Sequence, residues 1–239
     1  MNNIAKLLKG EIQRSIKYMI LPISLLTSVI WVIIFLLISA DEAKTVAPLF
    51  LFADVAVMSI ILVGASYYLE KQEGTINSVL MLPIKLHEIL IAKFISSMFL
   101  AFESVIIIAL SLYLIHGIYF NYLLLLFYVI ISAMAHTAMG FSLALYAKDF
   151  NSLLGLMMTF MLVFTLPTIF YSLTLIPENF EVFLFLSPSH CADLLMNYAI
   201  QSKPIDWKVI LSVGYQIVIA CGLFKYVIYP KFKSNTVRG

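Results

Sequence analysis

The sequence predicts an all-α polytopic membrane protein with six transmembrane helices, and three observations carry that expectation. First, 62% of the 239 residues are hydrophobic, 12% are charged, and mean hydropathy is +1.01. A soluble domain carries about 25% charged and 45–50% apolar residues, so a water-soluble enzyme is excluded, as is a disordered chain, which would be polar. Second, six apolar stretches lie near 19–40, 46–69, 94–116, 120–147, 153–176 and 208–229. Each has roughly the 20 residues that a bilayer-crossing helix needs. Third, the basic residues are sorted. An N-terminus inside the cell places 12 of the 15 Lys and Arg on the inner side and leaves Lys44, Lys203 and Lys208 outside. Cytoplasmic loops hold such an excess, so both termini are expected on the cytoplasmic side. What remains suffices for loops, and residues 1–239 read as one transmembrane domain.

The elements follow in order. Lys6, Lys9, Gln13 and Lys17 fall on one side of an N-terminal helix, with Ile4, Leu7, Leu8, Ile12, Ile16 and Met19 on much of the other. That pattern fits a helix lying in the membrane interface with its basic side toward lipid headgroups. Glu11 falls on the apolar side and breaks the pattern. No cleavable leader is expected, because the first 18 residues carry four basic groups where an uninterrupted apolar run would be required. The fourth and fifth stretches are separated only by residues 147–152, a tight helical hairpin. Between the fifth and sixth, residues 177–207 are too apolar for an aqueous loop and read as short helices dipping into the outer leaflet, broken at Pro188. Glu178, Glu181, Asp193 and Asp206 give that segment an acidic character. The two cysteines, Cys191 and Cys221, make neither a disulfide framework nor a metal cluster.

The loop between the second and third stretches is the most informative. Gly74 can end the preceding helix and Thr75 can cap a new one. Ile76, Val79 and Leu80 then form one apolar face at helical spacing, and Pro83 stops the helix. A further helix begins near His87-Glu88 and runs through Lys93 into the third span. A short helix held between two spans is suited to docking into a groove on a soluble partner.

These residues bear a resemblance to a known family. Glu73, Gly74, Thr75, Ile76, Val79, Leu80 and Pro83, followed by Glu88-Ile89-Leu90 and Lys93, resemble the cytoplasmic loop of permeases of type-2 ATP-binding-cassette (ABC) exporters. Ser187-Pro188 is similar to the Asn-Pro element of that family's outer re-entrant region. The six spans, the N-terminal helix and the chain length also fit. Ser187 stands where Asn is common, and Asn77 where an acidic residue is. The resemblance implies that the loop is a coupling helix, moved by two cytoplasmic ATPase subunits that carry the ATP and Mg. It implies a second permease, identical or homologous, and a route opening between the two, lined in this family by the second and fifth spans. Size and loop sequence look most like the fluoroquinolone-export kind. The chain itself has no Gly-x-x-x-x-Gly-Lys-Ser/Thr cradle for phosphates, so any ATPase is a separate polypeptide. No cofactor is expected on this chain, and its other contacts are with membrane lipid rather than nucleic acid.

Ionisable groups within spans are functional candidates by default. Glu103 lies ten residues past Lys93, about 15 Å deep, and His136 lies at a similar depth on the next span, so the two are expected to meet. Asp54 is nearer the outer end of the second span, where it can reach water. Phe160, Phe164, Phe170 and Tyr171, with Met157, Met158 and Met161, give the fifth span an adaptable apolar wall, and Pro167 is expected to kink it. Two other functions compete with export. An ion-coupled transporter would centre on Glu103 with Asp54 or His136. An intramembrane enzyme would need a nucleophile and base such as Ser189-His190, and the His-Glu-x-x-His metalloprotease pattern is absent.

Overall fold

The structure is a computed structural model that describes residues 3–81 and 83–237, without the side chains of Asn77, Leu80 and residues 235–237. Every regular element among the described residues is helical. Helix α1 (Asn3–Lys17) is followed by α2 (Ile20–Leu37), α3 (Ala40–Gln72), the short α4 (Thr75–Leu80), α5 (Leu86–His116), α6 (Tyr122–Tyr146) and α7 (Phe150–Ser172). A single-turn helix α8 (Glu181–Leu184), α9 (Pro188–Ile200) and α10 (Trp207–Ser234) complete the chain. Helices α2, α3, α5, α6, α7 and α10 are long and apolar enough to cross a membrane, which matches the six expected stretches.

The boundaries follow local chemistry. Asn121 Oδ1 accepts the Leu124 amide at 3.0 Å, Asp149 Oδ1 accepts the Ser152 amide at 2.7 Å, and Asp206 Oδ1 accepts the Lys208 amide at 3.0 Å. Each satisfies an amide that the first helical turn leaves without a partner. Ser39 and Glu42 cap α3 reciprocally, which starts that helix at Ala40, six residues earlier than hydropathy alone indicates. Gly117 closes α5 in the left-handed region, φ 65°.

Helix α6 is the centre of the bundle, packed against α3, α5, α7, α9 and α10. Its closest approach is to α3. A methyl group on Gly140 would come within 2.8 Å of the Ile60 Cα atom, and Gly64 faces Met157 from the other side. Small residues at such a crossing let two backbones touch where there is no water to drive association. Helices α2 and α10 are mostly exposed along their lengths. Among the described residues three helices carry a π-helical stretch, at Ala53–Met58 in α3, Met161–Thr165 in α7 and Phe224–Ile228 in α10. That in α7 directly precedes Pro167, whose missing N–H breaks the regular ladder.

Segment 177–207 turns back into the bundle. Ser187 Oγ donates to the Phe164 carbonyl at 2.9 Å, and the Gln216 side chain donates to the Pro188 carbonyl at 3.4 Å, so the start of α9 lies level with the middle of α7 and α10. Its far end is tied to the start of α3, where Gln201 Nε2 donates to the Lys44 carbonyl at 2.9 Å. Pro188 therefore begins this helix rather than breaking it: it occupies the first turn, where a missing N–H costs nothing.

Candidate functional site

Three polar regions interrupt an otherwise apolar bundle. The first joins α1, α3 and α5 at the α4 end. Glu11 and Glu70 are 5% and 2% exposed. Lys93 pairs with both, 3.1 Å from Glu11 Oε1 and in direct contact with Glu70. Arg14 pairs with Glu11 and lies 3.9 Å from Glu70. Two carboxylates are thus matched by two cations, the condition under which buried charge is tolerated. A cavity of about 30 Å³ beside them, lined by Ser66, Ser96 and Ser97 among others, has room for a water. Glu11 is therefore no flaw in the amphipathic pattern of α1. With Arg14 it fastens α1 to the two helices flanking α4, Glu11 to Lys93 and Arg14 to Glu70.

Helix α4 hangs from this joint. Gly74 adopts φ +69°, which only glycine accepts freely, and its carbonyl takes the first helical bond from Ser78 at 3.3 Å. Gly74, not Thr75, is thus the position just before the helix, and Thr75 is its first residue. Glu73 reaches back to the α1–α2 corner. Lys17 Nζ lies 3.0 Å and the Tyr18 hydroxyl 2.7 Å from Glu73 Oε2. These bonds hold the Glu73 carboxyl below the usual carboxylate range, while burial, and then Glu73 itself, push Tyr18 up to about 12. Ile76 and Val79 pack inward against the core, contrary to the expectation that they form the docking face, while the side chain of Leu80 lies outside the described residues. The outward residues are Ser78, Met81 and Pro83, with Met81 86% exposed. Glu88 works locally: its Oε2 accepts the Lys85 amide at 3.0 Å and starts α5. A groove of about 410 Å³ runs between α1 and this segment, lined by Lys6, Leu7, Arg14, Val79, Pro83 and Ile84 among others.

The second region lies inside the bundle, between α2, α3 and α5. Ser24 Oγ donates to Glu103 Oε2 at 2.7 Å, and Ser28 Oγ donates to Asp54 Oδ2 at 3.3 Å and lies 3.2 Å from Ser104 Oγ. Asp54 is 4% exposed, so it is buried against α2 and α5 rather than facing water. The expected pairing of Glu103 with His136 does not form. Glu103 turns to α2, while His136, fully buried, uses Nδ1 to bond the Ser132 carbonyl of its own helix at 2.8 Å. Depth along two spans was readable from the sequence; the face each side chain takes was not. The serines of α2 are the members that sequence reasoning missed. Ser24 and Ser28 at i, i+4 were the available signal, a polar stripe on an apolar helix.

The third region surrounds α9. Ser187 caps the helix, its Oγ accepting the His190 amide at 3.3 Å while donating to Phe164. Asp193 accepts from Ser172 at 2.6 Å, Asp206 accepts from Tyr198 at 2.6 Å, and Glu181 pairs with Lys208 at 2.6 Å. The acidic face expected here is therefore largely consumed by internal bonds. Ser189 bonds Thr165 at 3.2 Å, and His190 is wedged between the rings of Tyr171 and Phe185, so the two form no nucleophile–base pair. On α7, Met157 and Phe160 are buried while Met158 and Phe170 face outward, which divides its apolar residues between the core and the surface.

The sequence profile of the Fluoroquinolones export permease protein family matches residues 2–234. Two similar proteins are fluoroquinolones export permease proteins of Mycobacterium tuberculosis, from strains CDC 1551 and H37Rv. Each is 24% identical over 225 residues, which span 93% of this chain and 92% of the relative. The match covers all six membrane-capable helices, the α4 segment and α9. With that fold and that match, the chain is a multi-pass membrane protein and an export permease, and it belongs to the Fluoroquinolones export permease protein family.

Proposed function

We propose that the chain is the permease subunit of an ABC exporter that moves a hydrophobic or amphipathic, drug-like molecule across a bacterial inner membrane. ATP and Mg act on two separate cytoplasmic ATPase subunits, and two permeases, identical or homologous, enclose the route. Both termini, α1 and α4 face the cytoplasm in this reading. The observation that carries it is the suspension of α4. It is a six-residue helix between the 33-residue α3 and the 31-residue α5, and its base is braced by Glu73 to the α1–α2 corner and by the four-charge joint beneath it. A push on α4 is then delivered to α3 and α5 together, because α1 is ion-paired to both. The relatives' printed name, fluoroquinolones export, supports the drug-like substrate class.

Met81 is the knob that such a partner would grip, with Pro83 beside it and Ile76 and Val79 anchoring the helix from behind. Co-expression with a candidate ABC ATPase subunit from the same organism tests the reading. Wild type should purify as a stoichiometric complex, and Met81→Asp should lose the ATPase while keeping its yield and unfolding temperature. Val79→Asp should lose both the ATPase and stability, because it disturbs packing. A wild-type permease that never retains the ATPase would refute the reading.

A further inference from the structure

The stretch that carries the chain from α7 to α9, residues 173–186, is thinly anchored. Of its side chains only Leu184 is buried, with Ile176, Glu181 and Phe185 half-buried and the rest exposed. A segment with so few buried apolar contacts sits at the low end of local stability. Its departure from α7 is strained as well. Thr174 takes φ 60°, a left-handed backbone that a β-branched residue adopts only at a cost. Two side chains of α10 pin this strap down. Lys208 pairs with Glu181 at 2.6 Å, and the Tyr215 hydroxyl donates to the Leu186 carbonyl at 2.7 Å.

Beneath the strap lies a group that the closed arrangement serves badly. His190 is 2% exposed, its ring held between Tyr171 of α7 and Phe185 of the strap, with centroids 5.2 and 5.5 Å away. Neither ring nitrogen has a hydrogen-bond partner. A neutral imidazole has one donor and one acceptor, and leaving both unmet in a buried place is costly. Burial is the largest influence on its protonation and disfavours the imidazolium; Glu181 of the strap works the other way, and Lys208 of α10 adds to burial. On α9 itself, Asp193 accepts from Ser172 and the Cys191 thiol lies 3.7 Å from the Phe185 carbonyl. Helix α3 meets α9 with Phe52 and Ala56, and α6 brings Ser132 close to its start by way of Gln216; none of these titrates. Lifting Phe185 would let water reach both nitrogens of His190. The open form then takes up a proton near the ordinary imidazole value of about 6.5, which the closed form resists. The stability of the closed form is therefore complete above about 6.5 and is lost progressively as pH falls from there.

We infer that residues 173–186 form an acid-released strap, closed over His190 and pinned to α10 through Glu181 and Leu186. Its opening uncovers the start of α9 beside α7. The inference rests on the export reading only for placing the strap on the outer side, and its test needs neither ATPase nor cargo. Cys191, fully buried behind Phe185, serves as the reporter. The full chain carrying Cys221→Ser, in lipid nanodiscs, is treated with 4,4′-dithiodipyridine, which attacks thiols in acid as well as at neutral pH. The rate is divided by that of the same chain denatured in dodecyl sulfate at the same pH. Between pH 7.5 and 5.0 this ratio should rise about thirtyfold, the gain expected when opening uncovers an imidazole of ordinary pKa. His190→Phe keeps a ring between Tyr171 and Phe185 but cannot titrate, so its ratio should change by less than about twofold. Lys208→Gln removes one pin and should raise the ratio at both pH values. Three results would overturn the inference. They are a rise of less than about threefold in the reference chain, a Cys191 unreactive at both pH values included; an equal rise in His190→Phe; or a Lys208→Gln ratio no higher than the reference.

Discussion

The α4-end joint and the Asp54–Glu103 cluster hold the same number of buried or half-buried carboxyls but treat them oppositely. In the joint, Glu11 and Glu70 are answered by Arg14 and Lys93, so charge is balanced and three helices are locked together. In the cluster, the two carboxyls meet neutral groups, Ser24 at Glu103 and Ser28 with the Trp31 indole at Asp54, and no basic side chain among the described residues pairs with either. Four matched charges tie three helices at one point, whereas carboxyls that meet only neutral groups add polar burial without such a tie. The contrast separates an ion-paired joint from a cluster held by neutral hydrogen bonds within one bundle.

The largest expected effect tests the first half. Lys93→Ala leaves Glu70 and Glu11 buried with Arg14 alone, and removing one partner of a buried ion pair costs about 3–5 kcal/mol. The unfolding temperature in detergent should fall by several degrees, and pairing the change with Glu70→Gln should recover much of the loss. A Lys93→Ala protein as stable as wild type would dissolve the contrast. Asp54→Asn tests the second half, and should behave differently. It keeps the shape of the side chain and leaves an oxygen to accept from Ser28, so stability should stay within about 1 kcal/mol of wild type. A loss matching that of Lys93→Ala would mean that Asp54 is as structural as the joint.

The smallest effect concerns the exposed brace at Glu73. Lys17 and Glu73 are 63% and 42% exposed, a setting in which ion pairs contribute little. The brace is read better by titration than by stability. Because the Glu73 carboxyl sits below its ordinary range, its contribution is present at neutral pH and is lost as pH falls through the folded value. Tyr18 is raised from 10.0 to about 12, so its share is complete below 10.0 and fades as pH climbs toward 12. Subtracting the ultraviolet titration of Tyr18→Phe from that of wild type should reveal one phenol ionising near 12. A phenol ionising near 10.0 would show that Tyr18 does not hold Glu73.

Much of this was legible beforehand. The six membrane-capable helices and the short helix after Gly74 follow from apolar run length and turn residues, all local signals. The sites were legible by member but not by partner. Glu103 and His136 share a depth, yet their azimuths on α5 and α6 direct one toward Ser24 and the other toward its own backbone. Glu11 broke an amphipathic pattern because its partner Lys93 lies 82 residues away, a separation that no local pattern encodes. Val79 obeys helical spacing, but spacing does not say whether an apolar face meets the protein's own core or a visitor.

The central claim is that α4 receives a separate ATPase, and the mass of the native particle tests it most directly. The permease co-expressed with a candidate ABC ATPase subunit, extracted into nanodiscs and weighed by mass photometry, should give a particle of two permeases and two ATPases. Met81→Asp should give the permeases alone. A wild-type particle that contains no ATPase, or a Met81→Asp particle that retains the full set, would contradict the account.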